Sequence, residues 1–256
     1  MQIRFDKKTV IVTGATSGIG AAIARAFAEA GASVMLTGRN QARGDKLGAE
    51  CRALGAKAAF LPGDATNSSF AGTLMDETKA AFGSVDILVN NAGVLHIGSA
   101  EETADDVWRH TMSVNVDAAF FMSRAAVPVM RRQGGGAIVN VAGDWGLKGA
   151  PRVVAYCVSK GALVQLTRAM AIDHAQEGIR INAVCPGDVD TEMLNELSDV
   201  EKIDPAQLRQ ARMDASRNGR LASVEDVANA VLFAASDKAA HTTGTMLSVD
   251  GGSMAG

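Results

Sequence analysis

The fold is decided by the opening stretch Thr9-Val10-Ile11-Val12-Thr13-Gly14-Ala15-Thr16-Ser17-Gly18-Ile19-Gly20. The apolar run Thr9–Val12 predicts a β-strand, and Ile19–Ala30 predicts a helix that ends at Gly31. The glycines between them allow backbone N–H groups to approach a pyrophosphate at a helix N-terminus. The spacing Gly-x-x-x-Gly-x-Gly departs from the commoner dinucleotide fingerprint, so a turn that serves packing alone is the alternative.

Short apolar runs alternate with longer helical patterns along the rest of the chain. Helical stretches of ten or more residues, such as Gln41–Leu54, separate the runs, and crossovers this long require parallel strands. We therefore predict one α/β domain over residues 1–256, a Rossmann-type doubly wound fold with a seven-stranded parallel sheet. The expected strands are Thr9–Val12, Ser33–Leu36, Ala58–Leu61, Ile87–Asn90, Ala137–Val141, Ile179–Val184 and Thr245–Val249.

The segment from Thr191 to about Arg220 interrupts this alternation. It is polar, and it follows the sixth predicted strand. A long insertion at the carboxyl end of a strand lies at the crevice where such sheets bind ligands. We expect a mobile lid over the substrate there, with an ordinary surface helix pair as the alternative.

Composition excludes several functional classes. The chain has 256 residues, a net charge of -3 and no basic run, so neither nucleic acid nor an anionic membrane is an expected partner. Its apolar runs are too short to span a bilayer, and no apolar signal stretch opens the chain, so we expect a cytoplasmic protein. Three cysteines and four histidines show no disulfide or ligand spacing, and we expect no metal site.

The segment Tyr156-Cys157-Val158-Ser159-Lys160 carries the second chemical signal. A tyrosine and a lysine four residues apart lie on one face of a helix. An ammonium near a phenol favours the phenolate and lowers the phenol pKa. Such a phenol can exchange a proton with an alcohol or a carbonyl, which predicts general acid–base chemistry on Tyr156.

The end of the second predicted strand bears on the choice of cofactor. An acidic residue at this point would bind the adenosine ribose hydroxyls and select NAD. The chain instead has Gly38 followed by Arg39, whose guanidinium can bind a 2′-phosphate. This favours NADP(H) over NAD(H), with a solvated arginine and accepted NAD as the alternative. Because no basic residue precedes Gly18, the sequence offers one phosphate-binding cation instead of two.

Together these motifs resemble the short-chain dehydrogenase/reductase family, and its 3-oxoacyl-reductase-like subgroup, along nearly the whole chain. The motifs that carry the resemblance are Thr13–Gly20, Asp64, Asn90-Asn91-Ala92-Gly93, Asn115, Tyr156-x-x-x-Lys160, Pro186-Gly187 and Val249-Asp250-Gly251-Gly252. The resemblance implies an NAD(P)-dependent oxidoreductase that interconverts a secondary alcohol and a ketone. It also implies a homotetramer assembled through long helices and the C-terminal strand.

The resemblance also implies roles for single residues. Tyr156 would be the proton donor or acceptor, Lys160 would bind the nicotinamide ribose, and Asn115 would hold a water that relays the proton. Asp64 would meet the adenine, while Asn90 and Gly93 would close the adenosine side and brace the fourth strand. The full cofactor set would be Gly14, Thr16, Ser17, Gly18, Ile19, Gly20, Arg39, Asp64, Ala65, Asn90, Asn91, Ala92, Gly93, Tyr156, Lys160, Pro186, Gly187, Val189 and Thr191.

One position departs from the family pattern. The family has a catalytic serine thirteen positions before the tyrosine, and this chain has Gly143 there. Losing one hydrogen-bond donor to a developing oxyanion costs about 10²–10³ in rate, so we expect a slow enzyme. Three explanations stay open: a natural variant in which a water replaces the hydroxyl, a deliberate substitution, or an impaired relative retained as a cofactor-binding regulatory or assembly protein. Asp144 is a poor replacement because an ionised carboxylate only accepts hydrogen bonds.

The predicted substrate contacts are Gly143, Trp145, Val153 and Asp188. With Asp144, they provide an indole and two carboxylates near apolar walls. Such a pocket could hold a polyol or a polar ketone, whereas the same side chains could also be structural. The substrate is expected to be a small carbonyl compound or alcohol.

Overall fold

Seven parallel strands form one sheet in the computed structural model, which describes residues 3–255 apart from the side chains at positions 195, 196 and 199–201. The sheet order is β3-β2-β1-β4-β5-β6-β7, which confirms the predicted doubly wound α/β fold. The strands are β1 (Thr9–Thr13), β2 (Ser33–Gly38), β3 (Ala58–Pro62), β4 (Ile87–Asn90), β5 (Gly136–Val141), β6 (Ile179–Pro186) and β7 (Met246–Val249).

Helices connect the strands and cover both faces of the sheet. They are α1 (Gly18–Glu29), α2 (Gln41–Ala53), α3 (Ser68–Phe82), α4 (Asp105–Met112), α5 (Ala118–Gln133), α6 (Val154–His174), α7 (Glu192–Glu201), α8 (Pro205–Ala215) and α9 (Val224–Ala235). Buried side chains of α1, α2 and α9 pack on one face. Those of α3, α5 and α6 pack on the other. Within residues 3–255, none of the helices combines the length and apolar character needed to cross a membrane.

The strand order reverses between β1 and β4, and this reversal determines where a ligand can bind. The chain runs outward from β1 to β3 and then returns to place β4 on the other side of β1. The connections leaving these two strands diverge, and they open a crevice at the carboxyl edge. The fold therefore brings the glycine turn after β1 and the loop after β4 together at one site.

The predicted lid segment consists of α7, α8 and the loop that leads to α9. Leu194 and Leu197 of α7 are buried against Leu208 of α8, and Leu95 and Leu221 pack against them. The helix pair is therefore attached to the loop after β4 by a small apolar cluster. This cluster places α7 beside the crevice at the carboxyl edge of the sheet.

Candidate active site

A cavity of about 750 Å³ opens at the carboxyl edge of the sheet. It extends from the glycine turn after β1 to the segment that precedes α7. Most of the predicted site residues line it. They are Gly14, Thr16, Ser17, Gly18, Ile19, Gly20, Arg39, Asp64, Ala65, Asn91, Ala92, Gly93, Gly143, Trp145, Tyr156, Lys160, Pro186, Gly187, Asp188, Val189 and Thr191.

The glycine turn packs closely against itself and against the loop after β4. Gly14 has φ +60°, and a Cβ there would lie 2.8 Å from Ala92 Cα, while a Cβ on Gly20 would collide with the Gly14 carbonyl. The Asn91 amide donates to the carbonyl oxygens of Thr13 and Gly14, both at 3.1 Å. The Thr13 hydroxyl accepts the Asn91 N–H at 3.0 Å. This cradle at the N-terminus of α1 fits the diphosphate of a dinucleotide.

The adenosine end of the cavity contains two arginines. Arg39 follows β2, and Arg43 lies in the first turn of α2. Asp64 faces the same end, and its carboxylate accepts the Thr66 N–H at 2.9 Å and the Thr66 hydroxyl at 2.8 Å. These bonds, assisted by the charge of Arg39, hold the pKa of Asp64 below its usual value. Arg43 was not among the predicted site residues, although an arginine in the first turn of the helix after β2, four residues after Arg39, is a usable signal.

Tyr156 and Lys160 lie in the first two turns of α6 and face the cavity, as their spacing predicts. The Lys160 ammonium donates to the Val141 carbonyl at 2.9 Å and lies 5.5 Å from the centroid of the Tyr156 ring. Lys160 is almost completely buried. The strand end of β5 therefore anchors the lysine beside the phenol.

Burial has opposite effects on the pKa values of these two groups. It lowers the pKa of Lys160 to about 8 because the charged ammonium loses hydration. Burial, with the charges of Asp144 and Cys157, raises the pKa of the Tyr156 phenol above its ordinary value. The predicted lowering of the phenol pKa by the ammonium is therefore wrong for this structure, because loss of hydration on burial has the largest effect and raises the pKa. Tyr156 carries its proton at neutral pH.

Asn115 lies in a π-helical turn, Ser113–Asp117, between α4 and α5. Its amide donates to the Val94 carbonyl and the Ser159 hydroxyl at 2.9 Å each and accepts the Val94 N–H at 2.8 Å. The side chain is buried behind the cavity lining and braces the loop after β4 against α6. Ser159, which the sequence analysis did not select, links Asn115 to α6 by donating to the Tyr156 carbonyl at 2.8 Å.

Gly143 lies directly beside the phenol. A Cβ at this position would lie 3.6 Å from Tyr156 Oη. A serine hydroxyl here would therefore lie close enough to share a hydrogen-bonded substrate oxygen with the phenol. The glycine adopts φ +117° and ψ 152°, a conformation that is essentially restricted to glycine. Its carbonyl accepts the Gly146 N–H at 3.1 Å and starts a short 3₁₀ turn. The site therefore lacks the serine hydroxyl and also has a backbone conformation that disfavours any side chain.

The substrate side of the cavity is formed by Asp144, Trp145 and Asp188. The Trp145 ring meets the Tyr156 ring edge-on at 5.9 Å and 88°. Arg212 of α8 lies 5.8 Å from the Trp145 ring centroid and 3.9 Å from the Asp188 carboxylate. Burial raises the pKa of Asp188. The charge of Arg212 opposes this effect, and the charge of Asp144 adds to it. Arg212 of α8 and the Tyr156 ring therefore both contact the Trp145 indole.

Besides Asn115, two predicted site residues, Asn90 and Val153, do not reach the cavity. The Asn90 side chain points into the protein, where its amide donates to Asn140 Oδ1 at 2.9 Å and to Ser123 Oγ at 3.0 Å. It braces β4 against β5, as expected, but it does not contact the cofactor space because the strand turns its side chain inward. Val153 is buried at the start of α6 and pairs with Gly98, so it is not part of the substrate wall.

The chain is similar to one sequence family and to several individual proteins. The family model described as Enoyl-(Acyl carrier protein) reductase matches residues 14–254. An uncharacterized oxidoreductase from Thermotoga maritima is 42% identical over 99% of this chain and 100% of its own length. The meso-2,3-butanediol dehydrogenase of Serratia marcescens is 39% identical over 99% of this chain and 97% of its own length.

A solved structure shares the fold of the whole chain. It is a gluconate 5-dehydrogenase from Burkholderia cenocepacia in complex with NADP and tartrate. It superposes with a TM-score of 0.92 at 31% identity, and the match covers 100% of this chain and 98% of that one. The relatives and the cavity therefore agree on a dinucleotide-dependent reaction at the carboxyl edge of the sheet.

Proposed function

Because the chain belongs to the short-chain dehydrogenase/reductase family of NAD(P)-dependent oxidoreductases, we propose that it interconverts a secondary alcohol and a ketone, with Tyr156 as the proton donor and acceptor. One observation carries the proposal. The phenol of Tyr156, the ammonium of Lys160 and the open position at Gly143 line the same cavity as the glycine cradle of α1. Proton transfer and dinucleotide binding can therefore occur in one space.

The reaction divides between the cofactor and the residues of this chain. When bound, the nicotinamide supplies a hydride to the carbonyl carbon or accepts one from the alcohol. In reduction, the protonated Tyr156 phenol donates to the carbonyl oxygen as negative charge develops there. In oxidation the phenolate accepts the alcohol proton, and the raised pKa of Tyr156 keeps the phenol in its protonated, donating form at neutral pH.

Lys160 stabilises the phenolate and provides the route by which the proton is replaced. Its ammonium lies beside the ring and, with a pKa near 8, exchanges a proton readily at neutral to mildly alkaline pH. Asn115 bonds protein groups through both ends of its amide. A relay water at Asn115 would therefore bind a group other than this amide, in a π-helical turn of the kind often found at functional sites.

NADP(H) is the preferred cofactor in this proposal. Arg39 lies at the adenosine end without an ion pair within 4.0 Å among the described residues, so its guanidinium is available to a 2′-phosphate. A carboxylate at position 38, which would select NAD, is replaced by glycine. The Arg39→Gln variant should weaken NADPH binding about tenfold or more and leave NADH binding within about twofold, because a bidentate phosphate contact is lost.

The substrate is a small polar secondary alcohol or the corresponding ketone. The carboxylates of Asp144 and Asp188 would accept hydrogen bonds from the substrate beside the cations that pair with them, Lys148 and Arg212, and Trp145 would provide an apolar wall. The butanediol and gluconate named for the relatives are small polar alcohols, which supports the same class for this chain. Gly143 makes turnover slow because the oxyanion receives one donor fewer.

Assembly and location are also proposals. The family resemblance favours a homotetramer, and the exposed apolar side chains Ile172 on α6 and Phe233 on α9 support contacts through long helices. Light scattering of the purified protein should give four times the mass of the 26.5 kDa chain. We propose a cytoplasmic location, which fractionation of the producing cells would test.

Cofactor titration followed by a substrate panel tests the central proposal. NADPH and NADH are titrated by fluorescence, and absorbance is then followed with ketones, sugars and acyl ketones. We expect tight NADPH binding and slow turnover of one substrate class. Tyr156→Phe should lose turnover, whereas Arg168→Gln, an exposed change on the same helix, should keep the turnover of the unaltered protein. Binding without turnover of any substrate, even in Gly143→Ser, would instead establish a cofactor-binding protein.

A further inference from the structure

An ion pair crosses the mouth of the cofactor cavity. Arg43 Nη1 of α2 lies 3.3 Å from Glu192 Oε2 of α7, and both residues line the cavity. The two positions are 149 residues apart in sequence, so the pair joins the adenosine side of the site to the lid. Neither residue was among the predicted site residues.

The pair lies above the glycine turn. Thr191, the residue before Glu192, is close enough that a Cβ on Gly18 would lie 3.6 Å from Thr191 Cγ2. The first turn of α7 therefore faces the N-terminus of α1, where the diphosphate of a dinucleotide is expected. A cofactor in this cradle would lie beneath the Arg43–Glu192 pair, with its adenosine toward Arg39 and Arg43.

Charge at this end of the cavity is balanced between the two helices. Arg39 and Arg43 contribute two positive charges, and Glu192 neutralises Arg43 at close range. The side chains of Arg43 and Glu192 are 54% and 66% exposed, so the pair is weak and readily exchanged. A phosphate monoester carries a charge between about −1.5 and −2 at pH 7 and accepts bidentate bonds from a guanidinium, which makes it a stronger partner than one carboxylate.

We propose that Glu192 competes with the 2′-phosphate of NADP(H) for Arg43, so that this ion pair adjusts the choice between NADP(H) and NAD(H). Binding of NADP(H) transfers Arg43 from Glu192 to the phosphate and releases the first turn of the lid helix from α2. Binding of NAD(H) leaves the ion pair in place across the cavity mouth. The inference rests on the proposed cofactor site. It adds Glu192 to the residues that determine whether this site prefers NADP(H) or NAD(H).

The test measures dissociation constants for NADPH and NADH by fluorescence, without turnover. Variants are Glu192→Gln, Arg43→Gln and the double variant. Asp190→Asn is the matched control, because Asp190 is similarly exposed, two residues before Glu192, and pairs with Arg209. An exposed ion pair shifts an equilibrium by a factor of up to about five, so Glu192→Gln should tighten NADPH two- to fivefold and leave NADH within twofold.

Arg43→Gln should weaken NADPH about tenfold and abolish the effect of Glu192→Gln in the double variant. Added salt should reduce the Glu192→Gln effect, because exposed charges are screened. The proposal is overturned if Glu192→Gln changes NADPH and NADH equally, if its effect persists without Arg43, or if Asp190→Asn reproduces it. If neither cofactor binds the unaltered protein, the proposed function itself is wrong. If Glu192→Gln leaves both dissociation constants unchanged, only this inference is wrong.

Discussion

Replacing Gly143 by serine tests the relation between the missing hydroxyl and the backbone of the site. The position has room for a side chain, because a Cβ would lie 3.6 Å from Tyr156 Oη with no closer neighbour. Its φ of +117° and ψ of 152° are nevertheless unfavourable for any residue with a Cβ. Such a conformation costs of the order of 1–3 kcal/mol.

The serine variant should therefore gain catalytic rate and lose thermal stability. The new hydroxyl should raise kcat for the preferred substrate by about 10²-fold, because one donor to an oxyanion is worth about 10²–10³ in rate. The backbone strain should lower Tm by roughly 2–12 °C, since each kcal/mol shifts Tm by about 2–4 °C in a chain of this size. Gly143→Ala carries the same backbone cost without the hydroxyl, and it separates the two effects.

The assay is kcat at saturating cofactor, together with Tm from circular dichroism for the three proteins. We expect both variants to melt lower than the unaltered protein, and only the serine variant to be faster. Equal kcat values for Gly143→Ser and Gly143→Ala would refute the missing-donor explanation. Unchanged Tm values in both variants would refute the argument from backbone strain.

Three further predictions concern the buried groups around the tyrosine. Because Tyr156 is the single tyrosine of the chain, the tyrosinate absorbance of the folded protein reports this residue alone. The absorbance should appear only above pH 10, and a titration midpoint below pH 9 would contradict the effect of burial on the phenol pKa. The folded pKa of Lys160 is below its unfolded value, so the unfolded state binds more protons between pH 8 and 10. Over that range, denaturant titration should show wild-type stability rising relative to Lys160→Met by about 1–3 kcal/mol; no change would contradict the lowered pKa. Ser159→Ala leaves a buried donor of Asn115 without its partner and should cost about 1–3 kcal/mol, whereas a neutral result would exclude this bracing role.

The fold and most of the cavity lining followed from local signals. Strands such as Val34–Leu36 are continuous apolar runs, and the intervening helices fix their parallel direction. The glycine turn and the Tyr156–Lys160 spacing then place two chemistries at the carboxyl edge of the sheet. These features depend on residues close together in sequence, where periodicity is informative.

Features that depend on distant residues were missed or misjudged. The Arg43–Glu192 pair joins residues in separate helices, so no local pattern reports it. The inward direction of Asn90 depends on its bonds to Ser123 and Asn140 across the sheet. The pKa of Tyr156 depends on how completely the site is buried, which spacing on one helix does not reveal.

The free-energy cost of burying Lys160 helps to decide whether the chain is an enzyme or a protein that only binds the cofactor. Lowering the pKa of Lys160 from 10.5 to about 8 disfavours the folded state at neutral pH by about 3 kcal/mol relative to an exposed lysine. A methionine would fill a similar volume without that cost, and proteins tolerate such destabilised polar groups mainly where function uses them. Lys160 can bind a nicotinamide ribose in either kind of protein, but a phenol 5.5 Å from its ammonium is of use only where a proton is transferred. Retention of this pair beside Gly143 therefore favours a slow, working oxidoreductase over a binding protein.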